Sequence, residues 1–224
     1  FTIYDDQDQQ RLLRDLLKEM GITEKSLKPR AVASFIDSAK NNGQLPEMMG
    51  DCRADQRQLV ELYRHYQNRL KAANALDFGD LLLLTVQLFE QFKDVRDYWQ
   101  NRFDYLLIDE FQDTNRVQYQ LVKLLVGPEA NLCVVGDDDQ SIYRWRGAEV
   151  GNILGFENDF PGTTVIRLEQ NYRSSQNILG AAGAVVGNNR ERCDKALWTE
   201  NPQGEPLVVE AAPDDRDEAS VVAV

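Results

Sequence analysis

The first hundred residues carry apolar side chains at helical spacing. Leu12, Leu13, Leu16, Leu17 and Met20 return every three or four positions and stop at Gly21, which predicts an amphipathic helix with a glycine end. Ala31 to Lys40 and Asp55 to Ala73 repeat the pattern, separated by an Asn-, Gly- and Pro-containing loop over residues 41–50. Asp77 stands where a cap would begin a helix running through Leu82 to Phe92. From Phe103 the pattern changes. Short apolar runs (Tyr105 to Ile108, Leu132 to Gly136, Val165 to Leu168, Pro206 to Glu210) now alternate with helical stretches at Val117 to Val126 and Ser175 to Val186. Strands alternating with helices predict a parallel α/β sheet whose working loops follow the strand C-termini.

Composition narrows the class. An apolar fraction of 42% with 28% charged residues describes a soluble globular chain. No apolar run approaches the roughly 20 residues of a membrane span, and the start Phe1-Thr-Ile-Tyr-Asp-Asp lacks the basic and apolar regions of a secretory leader. Cys52, Cys133 and Cys193 are odd in number and widely spaced, as expected of reduced thiols in a cytoplasmic protein. His65 lies in a polar helix and is expected at the surface. The net charge of −12 argues against a basic nucleic-acid wrapper. It leaves room for a groove of local cations and stacking rings. The opening on Phe1 and the helical run Asp217 to Val224 predict an internal piece of a longer chain.

Three stretches carry the chemistry. Tyr105-Leu-Leu-Ile-Asp-Glu-Phe-Gln-Asp-Thr114 ends an apolar strand on paired carboxylates, an arrangement that suits a magnesium ion beside bound phosphates or a plain solvated strand end. Gly136-Asp-Asp-Asp-Gln-Ser-Ile-Tyr-Arg-Trp-Arg-Gly-Ala148 crowds acids, a glutamine, aromatics and arginines into one loop, a mixture that buried loops avoid. Its glutamine can sense a terminal phosphate, and its rings can stack on bases. Glu169-Gln-Asn-Tyr-Arg-Ser-Ser175 sets an arginine and a tyrosine just before a helix start.

In this order these stretches resemble the UvrD/PcrA/Rep group of superfamily 1 ATP-dependent DNA helicases, in which they are the second, third and fourth helicase motifs. Leu76-Asp-Phe-Gly-Asp-Leu-Leu82, Leu197-Trp-Thr199 and Gly204-Glu-Pro206 also fit, so the resemblance covers nearly the whole chain. It implies a partial RecA-like parallel sheet of the P-loop NTPase type with an inserted all-helical accessory domain. Residues 1–102 would be that insert, 103–163 the C-terminal half of the first motor domain, and 164–224 the start of the second.

The resemblance also implies roles. Asp109 would bind Mg²⁺ and Glu110 would activate the hydrolytic water. Gln140 would read the terminal phosphate of ATP, Arg173 would contact it from the second motor domain, and Tyr172 would stack on adenine. Tyr143 and Trp145 would grip single-stranded DNA, with Arg146 coupling that grip to the nucleotide. The expected partners are single-stranded DNA, junctions of single- and double-stranded DNA, and the remainder of the helicase chain. The expected activity is 3′-to-5′ translocation and unwinding in repair or replication. One departure stands out: no Gly-x-x-x-x-Gly-Lys-Thr loop and no Gly-Lys pair occurs. These residues alone are therefore expected to be inactive. A helicase subunit of a recombination nuclease and a non-catalytic DNA- or partner-binding module remain as alternatives.

Overall fold

The computed structural model describes residues 1–50, 53, 56–127, 131–189 and 195–223, which form a unit over Phe1–Asp159 and a second over Phe160–Val224. The first unit opens with a three-residue strand, β1 (Thr2–Tyr4), then α1 (Asp6–Glu19), α2 (Pro29–Asn41) and α3 (Arg57–Ala72). Next come β2 (Ala75–Asp77), α4 (Phe78–Gln91) and α5 (Lys93–Gln100). Its α/β part holds β3 (Leu106–Ile108), α6 (Arg116–Leu125), β4 (Leu132–Val134) and two single-turn helices, α7 (Gly151–Leu154) and α8 (Phe156–Asp159). The described residues are thus mixed α/β with two small parallel sheets, β1 on β2 and β3 on β4.

Local chemistry explains the helix starts. The Asp5 carboxylate accepts from the amides of Gln7 and Asp8 at 2.8 and 2.9 Å, which satisfies two of the donors that a helix start leaves open. Asp77 and Asp80 form a reciprocal capping box at the start of α4, and Asn115 and Gln118 form another on α6. Gly21, at φ +68°, ends the first helix as the spacing predicts. The apolar faces of α1, α2 and α3 then close on one another around Leu13, Leu17, Ile36, Leu62 and Tyr66. His65 faces outward from α3, but its neighbours Tyr63 and Tyr66 are wholly buried.

Charge is buried here as well. Lys40 is fully enclosed, with Nζ 2.6 Å from Asp77 and 2.8 Å from Asp80. The Tyr66 hydroxyl donates to the same Asp77 oxygen, and Gln67 donates to Asp80. Burial pushes the Asp80 pKa up, although Lys40 pulls against it. The cluster ties the end of α2 to the start of α4. Gly79 packs on the Lys40 chain so closely that a Cβ there would sit 2.8 Å from Cδ.

Several expectations need correction. Residues 1–102, expected to be all helical, also hold two short strands, because Thr2–Tyr4 and Ala75–Asp77 pair in parallel register. Three residues are too few for alternation to reveal a strand. Val165 to Leu168 and Pro206 to Glu210 join no ladder. Among the described residues of this second unit the pairing is a single parallel bridge, Gln170 with Trp198. A strand needs a hydrogen-bonded neighbour, and none of the described residues forms a ladder with these runs. Their side chains stay open, with Ile166 77% and Val209 95% exposed. The second unit does contain the expected helix as α9 (Gln176–Val186), and a last helix, α10 (Asp215–Val222). Asp55, Cys52, Pro128 and Cys193 lie outside the described residues; Cys133 is a free, exposed thiol.

Candidate functional site

The two acidic stretches meet at the C-terminal ends of β3 and β4. These strands run parallel, with Ile108 opposite Val134, so the residues after each emerge side by side. Directly after β3 the chain turns through Glu110, whose backbone is left-handed at φ 49°, ψ 42°. A non-glycine residue held there costs on the order of 1–2 kcal/mol. Flanking hydrogen bonds hold the turn. Asp109 Oδ1 accepts from the Glu110 amide at 2.9 Å, and Phe111 N–H donates to the Val135 carbonyl at 2.9 Å. Behind the turn, the fully buried Phe111 ring meets Tyr119 and Phe156 edge-on. Asp109 and Glu110 stay exposed.

Gln112 joins the two stretches, and sequence reasoning missed it. Its side chain is 1% exposed. Nε2 donates to the Glu110 carboxylate at 2.7 Å, while Oε1 accepts from the Asp137 amide at 3.0 Å. Asp137 in turn accepts from Gln140 Nε2 at 2.8 Å. A continuous polar path therefore runs from Glu110 through Gln112 and Asp137 to Gln140. Gly136 leaves the room, since a Cβ there would lie 2.6 Å from Gln112 Oε1. The available signal was a glutamine two positions beyond the paired acids, opposite a strand-end glycine.

Beyond Gln140 the loop turns into a short 3-10 segment, Arg144–Arg146, closed by Gly147 at φ +90°. Trp145 is 75% exposed, and the Arg146 guanidinium lies 4.8 Å from its ring centre and 5.5 Å from that of Tyr143. An exposed tryptophan backed by a cation offers a flat face to a nucleobase. The loop borders an open groove of about 1500 Å³, lined by Phe78, Lys28, Arg30 and Asn41 and also by the acids Asp5, Asp6, Glu24 and Asp37. Phe78 is 58% exposed at the first position of α4 and is a second ring that the sequence reading passed over. Its signal was an aromatic placed directly after a helix cap, where no core face needs it.

For a metal, Asp109 offers an exposed carboxylate beside Glu110. Asp137, Asp138 and Asp139 also bring ligand oxygens within 4.8 Å of one another, but Asp137 already serves Gln140 and the Asp139 amide. The remaining predicted residues lie in the second unit. Asn171 Oδ1 accepts from the amides of Arg173 and Ser174 at 3.0 and 2.8 Å, fixing the turn before α9. Arg173 projects from it exposed, and Tyr172 is 80% exposed with its hydroxyl donating to Gln170 at 2.7 Å.

Residues 1–161 match the UvrD/REP helicase N-terminal domain. The chain belongs to the UvrD/REP helicase family. Residues 166–224 match the UvrD-like helicase C-terminal domain, so the two matches leave only a few residues between them. Among curated proteins, the chain is 46% identical over 224 residues to the ATP-dependent DNA helicase PcrA of Staphylococcus aureus, covering 99% of this chain and 31% of that protein. The PcrA of Staphylococcus epidermidis gives the same identity and coverage. The chain thus spans less than a third of the length of these relatives. No helix among the described residues of this UvrD/REP family member is long and apolar enough to cross a membrane.

Proposed function

We propose that this chain is part of the motor of an ATP-dependent DNA helicase that moves 3′ to 5′ along single-stranded DNA and unwinds duplex at a junction. In this reading, residues 103–163 belong to a first RecA-like motor domain, 1–102 to a helical accessory insert within it, and 164–224 to the second motor domain. The observation that carries the proposal is the path Glu110–Gln112–Asp137–Gln140, which ends five residues before an exposed Trp145. It joins an acid able to deprotonate water to a ring able to hold a base.

The chemistry follows from the groups. Asp109 would hold Mg²⁺, which supplies positive charge to the phosphates of ATP when bound. Glu110 orients and deprotonates the attacking water, with Gln112 keeping its carboxylate aimed. Gln140 donates to the terminal phosphate in exchange for Asp137, and that exchange moves the loop carrying Tyr143 and Trp145. Tyr172 lies against adenine, and Arg173 neutralises charge growing on the transferred phosphoryl group. Single-stranded DNA stacks on Trp145, Tyr143 and Phe78, and Arg146 steadies the ring. The lysine loop that cradles phosphates is absent from these 224 residues, so they bind ATP poorly alone.

The test is DNA-stimulated ATP hydrolysis by the full-length protein with Glu110→Gln. The amide keeps the shape and removes the base, and a loss of at least about 100-fold in kcat is expected with little change in the KM for ATP. Equal turnover by both proteins would defeat the assignment.

A further inference from the structure

The residue that follows buried Lys40 reaches both halves of the candidate site. Lys40 and Asn41 are the last two residues of α2. Consecutive helical residues point about 100° apart, so one can enter the ion cluster while the other leaves it. Lys40 is pinned between Asp77 and Asp80, which fixes where Asn41 emerges. Asn41 Oδ1 accepts from Asn115 Nδ2 at 2.9 Å, and Asn41 Nδ2 donates to the Arg146 carbonyl at 3.4 Å. The same amide covers Gly147, where a Cβ would come within 3.2 Å of Nδ2. Asn115 is the cap of α6, directly after the acidic turn, and its own Oδ1 accepts from Gln118 N–H at 2.8 Å. The other flank of the aromatic loop is tied to the same turn, because Glu149 N–H donates to the Thr114 carbonyl at 3.0 Å.

From this geometry we infer that Asn41 is a positioning residue for nucleic-acid binding: it clamps the Arg146–Gly147 backbone to the cap of α6 and so sets the angle at which Trp145 is presented. The inference rests on the helicase reading for its ligand, though not for its geometry. The helical part then acts on the grip of the motor loop through Asn41, which itself lines the groove beside Trp145, and the motion of Trp145 without DNA separates this positioning from a direct contact. The two hydrogen bonds of Asn41 are also separable. Aspartate keeps the acceptor for Asn115 and loses the donor to Arg146, whereas alanine loses both.

The experiment uses the full-length protein in a Trp99→Phe, Trp198→Phe background, with any further tryptophans outside this segment also replaced, so that Trp145 alone reports. Asn41→Asp and Asn41→Ala are compared with the parent by fluorescence anisotropy without DNA, then by oligo-dT-stimulated ATPase. The expected result is faster local motion of Trp145 in both variants. With it, the oligo-dT concentration for half-stimulation rises about five- to tenfold, the effect of losing one modest hydrogen bond. The KM for ATP and the turnover at saturating DNA stay unchanged. Unchanged Trp145 motion and half-stimulation in a folded Asn41→Asp protein overturn the inference. A parallel fall in turnover, ATP affinity and melting temperature also overturns it, by showing a merely structural role. If the parent shows no stimulation by DNA, the helicase reading fails instead, and the anisotropy arm still decides whether Asn41 fixes the loop.

Discussion

Replacing Lys40 by methionine should open the junction between α2 and α4. Methionine matches the length of the aliphatic chain but removes the ammonium that lies 2.6 Å from Asp77 and 2.8 Å from Asp80, in a site with no exposed lysine surface. Two carboxylates then share a dry pocket with Tyr66, Gln67 and the two backbone amides of the capping box as the remaining donors among the described residues. Breaking a buried ion pair by deleting one partner costs about 3–5 kcal/mol. At 1.4 kcal/mol per tenfold, amide hydrogens of α2 and α4 should exchange on the order of 100- to 1000-fold faster or more, measured by mass spectrometry on the intact protein. Asp80→Asn should do far less, within about tenfold, because burial already disfavours the charged form of that carboxyl and an amide keeps an acceptor oxygen. The neutral set Lys40→Met, Asp77→Asn, Asp80→Asn should recover much of the protection lost by Lys40→Met alone. Equal effects of Lys40→Met and Asp80→Asn, or no recovery in the neutral set, would refute the view that an uncompensated charge is the cause.

Gly136→Ala should drive Gln112 from its seat, since the new methyl would meet Gln112 Oε1 at 2.6 Å, Ile153 Cδ1 at 2.8 Å and the Phe111 amide at 3.2 Å; a loss of about 1–3 kcal/mol in thermal unfolding is expected. Tyr119→Phe tests a pH effect. Asp159 is held below its ordinary 3.8 by the Tyr119 hydroxyl and then by Lys123. A depressed carboxyl contributes stability above its unfolded pKa and loses it as pH falls through the folded value. The stability difference between pH 6 and the range below 3.8 should therefore shrink in Tyr119→Phe, read by urea unfolding at each pH. Trp145→Ala in the full-length protein should keep ATP turnover at high DNA concentration and lower the base pairs unwound per ATP; unchanged unwinding per ATP would remove Trp145 from the coupling.

Much of the first unit was legible because its signals are long. Leu12 to Met20 spans more than two turns, and Asp77 is a cap whose partner sits three residues on, whereas the Asn115 cap of α6 went unread. The acids, Gln140 and Trp145 were legible as polar and aromatic groups that a buried loop would not tolerate. What escaped was contact across the chain. Nothing local to Gln112 says that its amide meets Asp137, and nothing near Asn41 announces Arg146, 105 positions later. Lys40 reads as a surface charge at the end of a helix until β2 brings Asp77 beside it. Conversely, Val165 to Leu168 and Pro206 to Glu210 look like strands, because apolar periodicity describes what a segment could pair with and not whether a partner is present.

The amide of Gln112 has a direction, and both of its neighbours set it. Its NH₂ end faces the Glu110 carboxylate and its oxygen faces the Asp137 N–H. Turned end for end, the amide would set oxygen against oxygen at Glu110 and N–H against N–H at Asp137. The buried side chain would then lose both hydrogen bonds at once, so a single orientation fits. Gln112 is thereby a spacer with one allowed sense, the acid at one end and, a few ångströms away, the backbone that leads to the aromatic loop at the other.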